Sequence, residues 1–228
     1  EQQLPRVLII GDGVYNKAVR NVINELKGKA MVAHFPLPAE IVHNSTSVIL
    51  HLDLVLGRYA RNGKLLPEEN WPEWDLIHFN VGLGDLIHRV PDIDTFRCLP
   101  VEAGGVIGTD PKSYEKNLEK LVIALRKKSP DAKLIWASTT PIFGEEATIF
   151  IPGSEIQYNK IAERVMQQHK VPISDMHSHV MTLVGDERPT GFDSPYGFGK
   201  KQIHSPIVRT IADAIGLPMQ REDQSQAP

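Results

Sequence analysis

Residues 6–20 read RVLIIGDGVYNKAVR, and their first half limits the folds open to this chain. Val7, Leu8, Ile9 and Ile10 are consecutive apolar residues. Side chains alternate across a strand, so an unbroken apolar run needs cover on both faces. The segment therefore predicts a central strand in a parallel sheet layered by helices. Gly11, Asp12 and Gly13 follow as a turn. Val19, Val22, Ile23 and Leu26 then recur at helical spacing, with Gly28 where a helix would stop. Strand, glycine turn and helix is an arrangement that often presents a nucleophile or a phosphate site. Gly13, at the centre of the turn, has no side chain to react.

The alternation continues along the chain. AMVAHFP (30–36), DLIHFNVG (75–82), AKLIWASTT (132–140) and VPISDM (171–176) read as further strands. Val48, Leu52, Val55 and Leu56 mark a second helix ending at Gly57. Asp110 and Pro111 read as the N-cap and first residue of a helix whose stripe includes Tyr114, Leu118 and Leu125. Ser154 with Gln157 reads as a capping box for a helix carrying Tyr158, Ile161 and Val165. Ser205 and Pro206 open a last helix. The stretch through RCLPVEAGGVIGTD has no period, which predicts a functional or disordered loop. These elements predict one domain over residues 1–228: a three-layer α/β/α sandwich around a flavodoxin-like five-stranded parallel sheet, order 2-1-3-4-5. Ligands of such sheets bind beyond the carboxyl ends of the strands.

Composition narrows the function classes. A net charge of −3 over 228 residues gives no bulk attraction for nucleic acid or acidic membrane. The single cysteine, Cys98, excludes an internal disulfide and a cysteine-rich metal site. No apolar run approaches the roughly 20 residues of a membrane span. The chain starts at Glu1 without an apolar leader, as a mature secreted or periplasmic protein or a trimmed chain would; a secreted or periplasmic location is expected.

Three blocks carry a family resemblance. VLIIGDG resembles the first block of the SGNH (GDSL-type) hydrolases, a strand ending in Gly-Asp-Ser. WDLIHFNVGLGDL (74–86) resembles their third block, of pattern Gly-x-Asn-Asp beginning here at Gly82. YEKNLEKLVIALRKKSPDAKLIWASTTP resembles the helix and strand that follow in polysaccharide-associated members. The resemblance implies esterase or deacetylase ancestry and a flavodoxin-like fold. It also implies a nucleophilic serine where Gly13 stands, and an oxyanion hole where His43 and Gly84 stand. Its last block, Asp-x-x-His, aligns in two ways. His204 precedes the last helix, with Lys201 in the aspartate's place; alternatively, DSPY keeps Asp193 and puts Tyr196 in the histidine's place. Either way the Ser-His-Asp relay is incomplete, and acyl transfer through a serine is not expected.

Other groups suggest chemistry, each beside a plainer reading. Asp12 and Asp85 end neighbouring strands, and two carboxylates of different pKa suit acid and base in direct water attack on a glycosidic bond. The plainer reading is that both bond turn backbone. His204, or Asp193, is a candidate base; the alternative for His204 is an inert histidine at a helix start. Tyr15 and Asn16 place a ring and a polar group beside the turn, and Tyr196 and Lys201 are further ligand-binding candidates. Asp175, His177 and His179 have weak metal-ligand spacing, and an early helix start would splay them. Trp71, Trp74 and Tyr59 are either a sugar platform or core cover. His78, inside an apolar strand, reads as a hydrogen-bonded core histidine. No metal or cofactor motif is complete. The expectation is a divergent, carbohydrate-active protein without the serine nucleophile, which hydrolyses a glycan by direct water attack. The alternative is a catalytically inactive relative that binds a carbohydrate, another small polar ligand or a protein partner.

Overall fold

A computed structural model describes residues 3–93, 96–143, 148–186 and 203–217. Its strands are β1 (Arg6–Ile10), β2 (Met31–His34), β3 (Leu76–Phe79), β4 (His88–Arg89), β5 (Val106–Ile107), β6 (Lys133–Ala137) and β7 (Ile173–Ser174). Five of them form one parallel sheet in the order β2-β1-β3-β6-β7, the arrangement read from the sequence. β4 and β5 pair separately as a short antiparallel ribbon inside the stretch without period; two-residue strands are too short to show one.

The helices are α1 (Gly13–Glu25), α2 (Ser45–Leu50), α3 (Leu52–Val55), α4 (Pro111–Lys128), α5 (Ser154–Gln168), α6 (Met176–Val184) and α7 (Ser205–Ala214). α1 packs against α7, while α4 packs against both α2 and α5. With right-handed crossovers this strand order puts α1 and α7 on one face and α2, α4 and α5 on the other. Val7–Ile10 are buried by both layers, as their lack of alternation requires.

Register positions the site. Ile9 pairs with His34 of β2 and His78 of β3, so β1, β2 and β3 end at nearly the same height. Their exits at Asp12, Phe35 and Asn80 therefore open on one edge of the sheet.

Two local expectations need correction. The helix read over 48–56 is two helices, interrupted at His51. Ser154 is not the cap of α5: Gly153 occupies that position at φ 80, a left-handed conformation suited to glycine. Ser154 is already one residue inside the helix, and its hydroxyl makes no cap bond. α7 opens at Ser205 and Pro206 as read from the sequence, with His204 as its N-cap.

His78 is buried but not hydrogen-bonded. Neither ring nitrogen has a partner, nor does the Tyr15 hydroxyl, whose ring lies 6.0 Å from His78. The strand neighbours are Ile9 and Ile135, which offer no side-chain acceptor. Burial lowers the His78 pKa to about 4. Its folded pKa thus lies below the unfolded value near 6.5, so stability falls as pH drops through that window. Among the described residues, no helix is long and apolar enough to cross a membrane. His78→Leu is expected to leave the fold intact at neutral pH and to be neutral or stabilising by about 1–2 kcal/mol, because two unmet polar atoms disappear. Urea unfolding at pH 7.5 and pH 5 checks this: the variant should lose less stability on acidification than the parent.

Candidate functional site

The site begins at the turn after β1. Asp12 is the N-cap of α1, its Oδ1 accepting the Val14 N–H at 2.9 Å. Burial raises its carboxyl to about 6, against the opposing pull of the Val14 and Tyr15 backbone N–H groups. Gly11 is required by packing, since a Cβ there would fall 2.3 Å from the Tyr15 ring. Tyr15 is therefore a buried prop under the turn, not a group offered to a ligand.

The facing wall is the chain that leaves β2, residues 36–43. His34, the last residue of β2, gives its Nδ1 proton to the Ile9 carbonyl at 2.8 Å. Burial lowers its pKa, so the ring is neutral near pH 7 and Nε2 is an acceptor. Asn16 Oδ1 is placed 2.5 Å from that nitrogen. Two acceptors cannot share a hydrogen bond, so the amide is assigned the opposite orientation, with its N–H toward Nε2 and its oxygen left for a ligand. His43 Nε2 donates to the Asn80 carbonyl at 3.2 Å. Burial lowers its pKa to about 4, which leaves Nδ1 as a second neutral acceptor.

Between turn and wall is a hollow of about 250 Å³. Its polar lining is Asp12, Asn16 and His43, with backbone at Gly11, Gly13 and Gly84; Leu37, Ile41, Val42 and Ile87 supply much of the apolar lining. No Ser, Thr, Cys, Lys or Tyr is among the described lining residues. The arrangement is rich in acceptors, can bind hydroxyl or amine donors, and has no side chain of the kinds that form acyl intermediates in this type of turn.

Of the residues singled out in the sequence, the structure gathers Asp12, Gly13, Asn16, His43 and Gly84 around this hollow. Asp85 is adjacent in sequence but turned away and wholly buried. It accepts the Ser45 N–H at 2.9 Å and the Ser45 Oγ–H at 2.6 Å, and burial raises its pKa to about 6. It ties the start of α2 to the exit of β3, so the two-carboxylate arrangement is not formed around this hollow. Ser45, engaged by Asp85 and Asn117, is equally unavailable as a nucleophile. Gly82 also lies outside the lining; a Cβ there would fall 2.0 Å from Thr139 Oγ1.

His204 is not at the hollow. Its Nε2 lies 2.5 Å from Glu25 Oε1, and Asn21 approaches its Nδ1 at 3.5 Å. Glu25 ends the helix that Gly13 begins, which at 1.5 Å per residue is roughly 18 Å away along the axis. The histidine fastens α7 to α1. Asp193, Tyr196 and Lys201 lie outside the described residues.

The remaining candidates resolve structurally. α6 starts at Met176, Asp175 caps it, and His177 turns to Glu155 at 3.4 Å. Among the described residues no group of three side chains could hold a metal ion. Trp74 packs into the core against Phe35, and the Arg58 guanidinium covers Trp71 at 3.8 Å, so they form no open platform. A larger hollow, of about 420 Å³, includes Arg126 and Lys133, which donate to the last carbonyls of α5 and α7 and thereby complement the helix dipoles. The sequence reading missed Ile41, Val42 and Ile87, which carry no signal beyond being apolar. It also missed the Ser45–Asp85 tie, which the Asn44-Ser45 helix start announces only once the fold is known.

No family model and no curated protein matches the sequence. Solved structures share the fold. A lipase/acylhydrolase from Enterococcus faecalis superposes with a TM-score of 0.59 at 13% identity, over 96% of this chain and 100% of that one. The acetyl xylan esterase AlAXEase gives 0.56 at 17% identity, covering 92% and 98%. The acetylxylan esterase Axe2 from Geobacillus stearothermophilus gives 0.58 at 12%, covering 96% and 97%. The chain therefore has the fold of the GDSL/SGNH lipases and acetyl xylan esterases. Asp85→Ala should lower stability by about 2–3 kcal/mol by stranding the Ser45 donors, and chemical unfolding measures it.

Proposed function

We propose that the chain binds a small hydroxyl-bearing ligand, a carbohydrate, at the β1–α1 turn, and that it does not cleave esters through a serine. One observation carries this reading. The hollow at the carboxyl edge offers Asp12, Asn16 and His43 as acceptors, but no side-chain nucleophile of the serine type among its described lining residues. Hydroxyl groups are the natural complement of such a surface, since each can donate to a buried acceptor that would otherwise lose its bond to water. Acetyl xylan esterases are among the proteins with this fold, which supports a carbohydrate as the ligand class.

A glycine at position 13 is the departure that separates this chain from the serine mechanism of the family it resembles. Two further features oppose that mechanism. One is that the His43 ring donates to the Asn80 carbonyl, so its side chain adds no donor to the hollow. A Cβ at Gly84 would fall 2.2 Å from the His43 carbonyl oxygen, so an asparagine does not fit in this backbone.

A second reading is favoured by the Asp12 carboxyl, raised to about 6 in the wall of the hollow. A base of that pKa suits the activation of water at neutral pH. Calorimetric titration with neutral oligosaccharides, followed by mass analysis of the same mixtures, separates the two readings. Binding with unchanged masses, weakened about tenfold in Asn16→Ala, supports the binding protein. Shortened chains that vanish in Asp12→Asn support the hydrolase. Absence of binding across the panel overturns both. Gly13→Ser is expected to gain no esterase activity toward acetylated sugars; turnover in that variant would show that a working base and oxyanion hole remain.

A further inference from the structure

We infer that the sugar unit recognised in this hollow is uncharged and carries a methyl group in place of the exocyclic hydroxymethyl, as a 6-deoxyhexose does. This rests on the carbohydrate reading above and adds the class of sugar.

Charge gives the first half of the inference. The described lining residues include no lysine or arginine, but do include the Asp12 carboxyl. Both nearby histidines are committed to backbone carbonyls, His34 to Ile9 and His43 to Asn80. A uronic acid or a sulfated sugar would have to bring its anion out of water beside a carboxyl, with no cation among the described lining residues to pair it. Burying an unpaired charge is strongly unfavourable, and a neighbouring like charge adds to the cost. The acceptors Asp12 and Asn16 suit ring hydroxyls, which donate without carrying charge.

The shape of the apolar wall gives the second half. Aromatic faces are large flat surfaces suited to a ring's C–H side. The described lining contains no Phe, Tyr or Trp. Instead, Leu37, Ile41, Val42 and Ile87, with the exposed Pro36 and Pro38, supply aliphatic lining. A compact aliphatic group fills such a wall without stranding a hydroxyl, whereas a hydroxymethyl placed there loses its water and finds few polar partners. At about 250 Å³ the hollow lies below the roughly 300–1,000 Å³ of sites for drug-sized ligands, so a single sugar unit is the fitting size. Donor groups toward Asp12 and Asn16, with a methyl toward the aliphatic wall, describe a neutral deoxysugar.

The test is a series of methyl glycosides that differ only at C6: methyl, hydroxymethyl and carboxylate. It is run in the galacto, gluco and manno configurations of both the D and L series, with affinities read by titration calorimetry. In the configuration that binds, the 6-deoxy member should be about tenfold tighter than the hydroxymethyl member, and the carboxylate weaker still. Equal or tighter binding of the carboxylate overturns the inference and leaves the carbohydrate reading standing. Equal binding of methyl and hydroxymethyl members also overturns it. Absence of binding in every configuration instead overturns the carbohydrate reading itself. Ala39→Lys, at an exposed lining position, provides a second check. A cation there should raise carboxylate affinity about tenfold and erase the discrimination against it; unchanged discrimination would show that charge is not its cause.

Discussion

β1 is hydrogen-bonded to β2 along one edge and to β3 along the other, with both of its faces covered by helices. Val7–Ile10 are at most 2% exposed, and each such side chain contributes roughly 1.5–3 kcal/mol by leaving water. A strand held on four sides cannot slide, so the position of the turn after it is fixed by the core. The same register that pairs Ile9 with His34 and His78 brings the exits of three strands to one level. Asp12, the 36–43 wall and the Gly84 turn meet because of that levelling. The site is thus a consequence of how the central strand is buried.

The two aspartates show how little sequence adjacency to the site decides. Both are buried, and burial raises each to about 6. Asp12 caps a helix whose first turn opens on the hollow, so its carboxyl forms part of the wall. Asp85 sits in a short 3₁₀ turn that points the other way, and Ser45 occupies both of its oxygens. One carboxyl lines the hollow, and the other holds the loop before α2. Asp12 and Asp85 therefore form no acid–base pair across the hollow.

Much of this was legible in the sequence, and the reasons are specific. The unbroken run Val7–Ile10 announced a doubly covered strand, and Asp110-Pro111 announced the start of α4, because both signals are local and strong. The turn after β1 was singled out by the rule that ligands sit at strand carboxyl ends. The role of His204 was not legible. A histidine before the last helix has the same sequence context whether it faces the hollow or the far end of α1; only the packing of α7 on α1, through Glu25 and Asn21, separates the two. His78 failed as a hydrogen-bonded residue for a related reason: its partners depend on what lies across the strand, and there it meets the Tyr15 ring and apolar neighbours.

The proposed lack of serine chemistry rests on the backbone as well as on one missing side chain. At Gly13 a serine would differ only by a hydroxymethyl group. Gly84 is different: the carbonyl of His43 approaches so closely that a Cβ would meet it at 2.2 Å. That approach exists because the chain of residues 36–43 turns directly into α2, whose first residue is tied to Asp85 next door. An asparagine at 84 would require moving the His43 backbone, and with it the Ser45–Asp85 tie that anchors α2 beneath the sheet's edge. The hollow owes part of its acceptor-rich character to the same closure, since His43 reaches the Asn80 carbonyl only when the wall stands this near. The nearness of the wall and the exclusion of a side chain at position 84 are therefore one structural constraint.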